Sequence, residues 1–258
     1  MRSAADIRRR WLDQLPRMVT RPGMWASSGQ AFDVMARGLL SDLCFLDERE
    51  PDQDSVHAVL RSYGKLGVAG PFIAMFGKDR TCVAEVASVF AEQFHRLGYL
   101  QVTRLLDANE WNHLTAGLLQ RFDGQDVPRS EVEASYGPPS LMVDKRVLCY
   151  APADTSGWLF FDCFEDHGPG EYVPGAGRYE WRRNDDPLVR AVRRPARDFE
   201  AGLILTLYGK VMRWGPGWWL DHPESLPDDQ QAIAAQLLAV EASDPSQSLR
   251  TQRDDPRL

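Results

Sequence analysis

The sequence lacks the long apolar run that a membrane-spanning helix requires. A span needs roughly 20 consecutive apolar residues, and stretches such as Leu203 to Leu207 fall far short. No apolar signal core follows the basic start, where Arg8-Arg9-Arg10 leads into Trp11. The expectation is a cytoplasmic protein without membrane contact. Cysteine is scarce. Cys44, Cys82, Cys149 and Cys163 are widely spaced and form no CxxC pair, too few for a disulfide framework in 258 residues. Cys44 and Cys82 sit on helical apolar faces and Cys149 inside a strand-like run, so free buried thiols are expected there. Histidine is sparse as well. His57, His95 and His222 have no acid or thiol at an informative spacing, and His113 follows Asn109 by one helical turn as a core-edge residue. With no complete catalytic, metal or nucleotide motif, neither a metal nor a cofactor is expected.

Charge of one sign is also limited. The formal net charge of -7 disfavours nonspecific binding to nucleic acid. The charge is distributed in bands. Arg2, Arg8, Arg9, Arg10, Arg17 and Arg21 open the chain, and an acidic band of Asp42, Asp47, Glu48, Glu50, Asp52 and Asp54 follows. A second basic stretch runs from Arg178 to Arg197, and the region after Asp221 turns acidic. The stretch from Tyr179 to Arg197 interleaves aromatics with arginines, the raw material of single-strand stacking. Glu180, Asp185, Asp186 and Asp198 lie among them, so arginines on the solvent face of a sheet are the simpler account.

What is present is a change of pattern near the middle. Up to about Phe122 apolar residues recur at helical spacing; from about Leu141 they come in short β-branched and aromatic runs. The pattern predicts an α+β protein with a helical layer in 1–122, a connection in 123–139, a mainly antiparallel β half with a terminal helix in 140–242, and a polar tail in 243–258. One globular unit is expected.

Helices are predicted over Ala4 to Leu15 (stopped by Pro16), Gln30 to Asp47 (capped by Ser28), Ser55 to Leu66, Arg80 to Leu97, and Asn109 to Phe122 with Asn109 as cap. The run Phe72 to Phe76 fits a buried strand or a helical turn equally. Strands are predicted at Leu141 to Val143, Val147 to Tyr150, Trp158 to Phe164, Leu188 to Val192 and Leu203 to Trp214, and a last helix over Asp228 to Ala242.

Two segments invite functional readings. The turn Arg21-Pro22-Gly23-Met24-Trp25 before a helix resembles the start of the ATPase domain of type II topoisomerases. That family needs Glu and then Asn on the helix, where this chain has Gly38 and Asp42, and no DxGxG segment follows. The same turn is similar to small bacterial accessory proteins, including immunity-type proteins of polymorphic toxin systems. That resemblance implies a non-enzymatic protein-binding protein, an inhibitor that docks a basic toxin domain. Asp47, Glu48, Glu50, Asp52 and Asp54, with Trp218 or Trp219 as aromatic anchors, are then the partner-binding candidates.

The alternative is a hydrolase or metal enzyme built on Asp162, Cys163, Asp166 and His167. A thiolate needs a base beside it, and carboxylates with imidazole can hold a metal. The competing account is a strand end whose polar residues face solvent.

Overall fold

The computed structural model describes residues 3–77, 82–154, 156–164, 171–173, 175, 178–180, 185–214, 218–225 and 228–247. The architecture is α+β: helices dominate the N-terminal part, followed by a five-stranded antiparallel sheet and a final helix. By contacts the chain divides into two compact units. The first is Met1–Ala116, Pro139–Phe160 and Arg193–Leu203; the second is Gly117–Pro138, Phe161–Val192 and Ile204–Leu258.

The first helices are α1 (Ala4–Thr20), α2 (Gly29–Leu46), α3 (Glu50–Arg61), α4 (Ala69–Phe76) and α5 (Val83–Arg96). Ser3 caps α1 through a reciprocal pair. Its hydroxyl accepts from Asp6 N–H at 3.2 Å, and its own N–H donates to the Asp6 carboxylate at 3.0 Å. The helix runs through Pro16 rather than ending there. Proline cannot donate to the ladder, but Leu15, Met18 and Val19 are buried around it, so packing holds the last turn that local chemistry opposes. Ser28 caps α2 as expected, accepting from Ala31 N–H at 3.2 Å.

The third helix begins at Glu50 and ends at Arg61, earlier at both ends than the predicted Ser55 to Leu66, with Pro51 in its first turn. The ambiguous Phe72 to Phe76 run is helical, in α4. Buried Asp33 of α2 fixes the entry to α4: it accepts from Val68 N–H at 2.9 Å and from Arg37 Nε at 2.6 Å. The expected start of α5 at Arg80 lies outside the described residues.

The core of the first unit is α2 against α5. Phe32, Leu39, Leu40 and Leu43 of α2 and Val86, Ala87, Phe90 and Phe94 of α5 are all buried, and the Phe32 and Phe90 rings meet edge to face at 6.4 Å. The helices start close together because residue 29 is glycine. A Cβ there would lie 2.5 Å from Cys82 Sγ.

Next come α6 (Ala108–Thr115), α7 (Leu118–Phe122) and α8 (Arg129–Tyr136). The single helix predicted over Asn109 to Phe122 is in fact α6 and α7. Asp107, not Asn109, is the cap, accepting from Asn109 and Glu110 N–H at 2.8 and 2.9 Å, and Gly117 in the left-handed region (φ 71°) separates the helices. The predicted connection contains α8.

The strands are β1 (Leu141–Val143), β2 (Val147–Tyr150), β3 (Leu159–Cys163), β4 (Glu171–Val173), β5 (Arg178–Glu180), β6 (Val189–Arg193) and β7 (Leu203–Leu205). The sheet order is β1-β2-β3-β6-β7, and β4 pairs with β5 separately. β1 and β2 are antiparallel with Leu141 opposite Cys149, and β4 and β5 with Tyr172 opposite Tyr179.

The later helices are α9 (Leu207–Trp214), α10 (Trp218–Asp221) and α11 (Asp228–Ser243). The predicted strand from Leu203 to Trp214 is thus corrected: only Leu203–Leu205 is strand. Thr206 ends it by capping α9, its hydroxyl accepting from Gly209 N–H at 3.1 Å. Leu207 and Val211 satisfy helical spacing as well as the alternation read from the sequence.

In the second unit Phe161 packs on Phe122 and Tyr136, with ring centres 5.1 and 6.0 Å away. Among the described residues no helix is long and apolar enough to cross a membrane, and Cys44, Cys82, Cys149 and Cys163 are buried and form no disulfide.

Candidate ligand cleft

The site begins with the sequence of α5. Opposite its apolar stripe, Glu85, Ser88, Glu92 and Arg96 recur at i, i+3, i+7 and i+11, a second helical row. Because α5 is covered on nearly every side, that row starts inside the protein. Glu85 and Ser88 are fully buried and each meets an arginine: Arg146 lies 2.6 Å from Glu85, and Arg193 Nη2 donates to Ser88 Oγ at 2.6 Å. Where the row emerges, at Glu92 and Arg96, a cleft of about 330 Å3 opens, lined entirely by residues of the first unit.

Arg193, the last residue of β6, forms the back of the cleft. It is only 6% exposed. Its guanidinium lies 4.2 Å from the centre of the Phe160 ring and 5.1 Å from that of Phe72. Among the described residues its buried Nε has no hydrogen-bond partner, and no carboxylate forms an ion pair with it. A buried cation held by aromatic faces and a hydroxyl, but by no direct ion pair, is costly to keep. Gln93, 2% exposed and also lining the cleft, has an Oε1 with no hydrogen-bond partner among the described residues.

One wall is the loop that follows β6. Asp198 accepts from Ala201 N–H at 2.9 Å, and Arg194 N–H donates to Gly202 O at 2.9 Å. A Cβ at Gly202 would lie 2.5 Å from the Arg194 carbonyl oxygen, so this closure needs glycine. Phe199 anchors the loop against the Tyr63 and Phe72 rings, at 6.0 and 5.0 Å. The loop brings Arg194 and Arg197 to the rim.

The facing wall is Ser156, Gly157 and Trp158. Trp158 N–H donates to Glu92 Oε1 at 3.2 Å. Gly157 has φ 93°, and a Cβ there would sit 3.0 Å from Pro195 Cγ and 3.3 Å from Glu92 Oε1.

Four arginines (Arg96, Arg193, Arg194 and Arg197) therefore line the cleft with two carboxylates, Glu92 and Asp198. Burial pushes the Glu92 carboxyl above its ordinary value, against the pull of Arg96, the Trp158 N–H and Arg193. Burial likewise pushes the Tyr63 phenol up to about 12, opposed by Arg193. The result is a cationic pocket with partly aromatic walls, suited to holding an anion.

The residues singled out from the sequence fall elsewhere. Asp162 and Cys163 are fully buried in β3, not at a solvent-facing strand end. As neighbours on a strand they point to opposite faces. Asp162 lies 3.2 Å from Arg190, itself 1% exposed, and the Cys163 thiol lies against the Phe161 carbonyl at 4.0 Å. Asp166 and His167 lie outside the described residues.

The arginines of β6 do not face solvent. Arg190 and Arg193 are both buried, one beside Asp162 and the other lining the cleft, which corrects the solvent-face account. Arg182 and Arg183 of the same basic stretch lie outside the described residues. Among the described residues no group of three or more His, Cys, Asp or Glu is placed to hold a metal ion.

In the acidic band, Asp47 is bound by Arg8 at 2.6 and 2.9 Å, and Asp52 by Arg49 at 2.7 Å, whereas Glu48, Glu50 and Asp54 are exposed. The backbone of Trp218 and Trp219 is helical, in α10; their side chains lie outside what is described. The Arg21 to Trp25 turn contains a short 3-10 helix, Pro22–Met24, with Met24 exposed.

Sequence reasoning passes over Glu92, Gln93, Arg96 and Trp158 as site residues, and meets Arg193, Arg194 and Arg197 only as part of a basic stretch. The available signal is the second row on α5, a polar helical stripe on a helix too apolar to lie at the surface.

The chain matches no protein-family model, no curated protein and no solved structure.

Proposed function

We propose that this chain is a binding protein and that its recognition site is the cleft of the first unit, which takes up an anionic group. The observation that carries the reading is Arg193, a buried guanidinium without an ion pair among the described residues, facing a cleft that three further arginines share. A bound anion would supply the missing counter-charge and hydrogen bonds. Among the described residues, no hydrogen bond joins a nucleophile to a base in the lining, which favours binding over catalysis. The test is thermal stability in phosphate, sulfate and chloride at matched ionic strength. Phosphate and sulfate should raise Tm more than chloride does. Arg96→Ala and Arg197→Ala should each reduce that gain, since both change side chains at the exposed rim. Equal responses to all three anions would remove the reading.

A second reading keeps a protein partner, with the chain as an immunity-type inhibitor that docks a basic toxin domain on the acidic band. One observation favours it. At the end of α2 Glu48 occupies the left-handed region (φ 54°), where glycine is usual. Arg49 N–H donates to Cys44 O at 2.8 Å around it, and Phe45 nearby is 71% exposed. Backbone strain and exposed apolar surface held together with exposed carboxylates suit a docking surface. Reversing Glu48, Glu50 and Asp54 should slow association with a basic partner several-fold at low salt and less at high salt. An unchanged association rate at both would discard it.

A further inference from the structure

We infer that the anion this cleft takes is a phosphomonoester carried on a small planar body, an inference that rests on the binding reading above. Charge is the first argument. Four arginines against two carboxylates leave a surplus of two positive charges with both acids ionised, and more when Glu92 is neutral. Asp198 is already engaged by the Ala201 N–H. A monocarboxylate neutralises one of these charges. A phosphomonoester, whose second proton leaves near pH 6, carries about 1.5 to 2 negative charges at neutral pH.

Direction is the second argument. The guanidinium groups come from separate elements: Arg96 from α5, Arg193 from the end of β6, Arg194 and Arg197 from the loop after it. A planar carboxylate accepts mainly in its own plane, while tetrahedral phosphate oxygens accept from several directions at once and suit guanidinium forks. Arg193 is held by Ser88 and the Phe160 and Phe72 rings, so its orientation is set before the ligand arrives.

Size and walls define the rest of the ligand. A volume of about 330 Å3 holds on the order of ten waters at ~30 Å3 each. Phosphate alone would leave most of that space empty. Tyr63, Phe199 and Trp158 supply flat apolar surface for the remainder.

The experiment is calorimetric titration of the full chain with phenyl phosphate, inorganic phosphate, adenosine monophosphate and phthalate, a planar dicarboxylate. Phenyl phosphate should bind at least about tenfold tighter than phthalate and than inorganic phosphate. Arg96→Ala and Arg197→Ala should each weaken it at least about fivefold, in proteins whose unfolding transitions match the parent. Adenosine monophosphate binding about as tightly as phenyl phosphate extends the ligand to nucleotides; its failure confines the ligand to small aryl esters, and either result upholds the inference. Phthalate binding as tightly as phenyl phosphate, with the same arginine dependence, would overturn the phosphate assignment while leaving the anion cleft standing. Ester binding indifferent to both arginines would place it elsewhere and overturn the inference. No binding of any anion would end both readings.

Discussion

Replacing Arg193 by Met separates an arginine kept for a ligand from one kept for the fold. The side chain is 6% exposed, so the native protein carries the cost of removing a guanidinium from water, several kcal/mol. Against that stand the hydrogen bond to Ser88, worth about 1.5–3 kcal/mol for a charged donor, and contacts to Phe160 and Phe72 worth about 0.5–2 kcal/mol each. Attraction to Glu92 adds to the second side. Methionine fills a similar volume and keeps a favourable sulfur–ring contact of about 0.3–1.5 kcal/mol. The opposing contributions nearly cancel, so Arg193→Met should leave stability between unchanged and about 2 kcal/mol higher, within the range for apolar replacement of buried charges. Urea unfolding followed by tryptophan fluorescence reads this as a midpoint that stays or rises, with the slope unchanged. The same variant should lose anion binding at least about tenfold. Destabilisation by more than about 3 kcal/mol would show that Arg193 is a structural member of the fold and would refute the reasoning.

Other consequences are as direct. Gly157→Ala should cost about 1–3 kcal/mol, because φ 93° strains any Cβ and the added atom meets Pro195 and Glu92; a fall in Tm checks it. Glu48→Gly should stabilise by about 0.5–1.5 kcal/mol by relieving the left-handed backbone at the end of α2, read from chemical denaturation. Glu92→Gln keeps an acceptor for Trp158 N–H and removes a carboxyl that folding pushes upward. With the folded pKa above the ordinary 4.5, the native state holds the proton more firmly, so wild-type stability falls as pH rises from 4.5 through the folded value. The variant should therefore match wild type in acid and exceed it at neutral pH, as denaturation on either side of that window would show. Asp162→Ala should lower the unfolding midpoint by removing a buried carboxylate 3.2 Å from the Arg190 guanidinium, and a double-mutant cycle with Arg190→Met should show that the two positions are energetically coupled.

Local chemistry is legible in the sequence wherever it acts alone. Ser28 announces the start of α2, and the stripe Val83, Val86, Ala87, Phe90 and Phe94 announces α5. The change from helical to strand-like pattern announces the α+β class. Legibility fails where local signals compete or where tertiary cover decides. Pro16 argues for a stop, but Leu15, Met18 and Val19 are buried on either side of it and the helix continues. Leu207 and Val211 fit both periods, and the bond from Gly209 N–H to the Thr206 hydroxyl marks where strand gives way to helix.

The cleft is hidden for a related reason. An arginine in a strand reads as a solvent-facing residue until the rings that cover it are known, as Phe160 and Phe72 cover Arg193. Ser88 and Arg193 stand 105 residues apart, so no local window joins α5 to the end of β6.

The most direct measurement is anomalous diffraction from crystals soaked in tungstate, a heavy tetrahedral dianion. The account predicts an anomalous peak inside the cleft, within hydrogen-bond reach of the Arg193 guanidinium and of at least one of Arg96, Arg194 and Arg197. Tungstate bound only at other surfaces, with the cleft left to solvent, would contradict it.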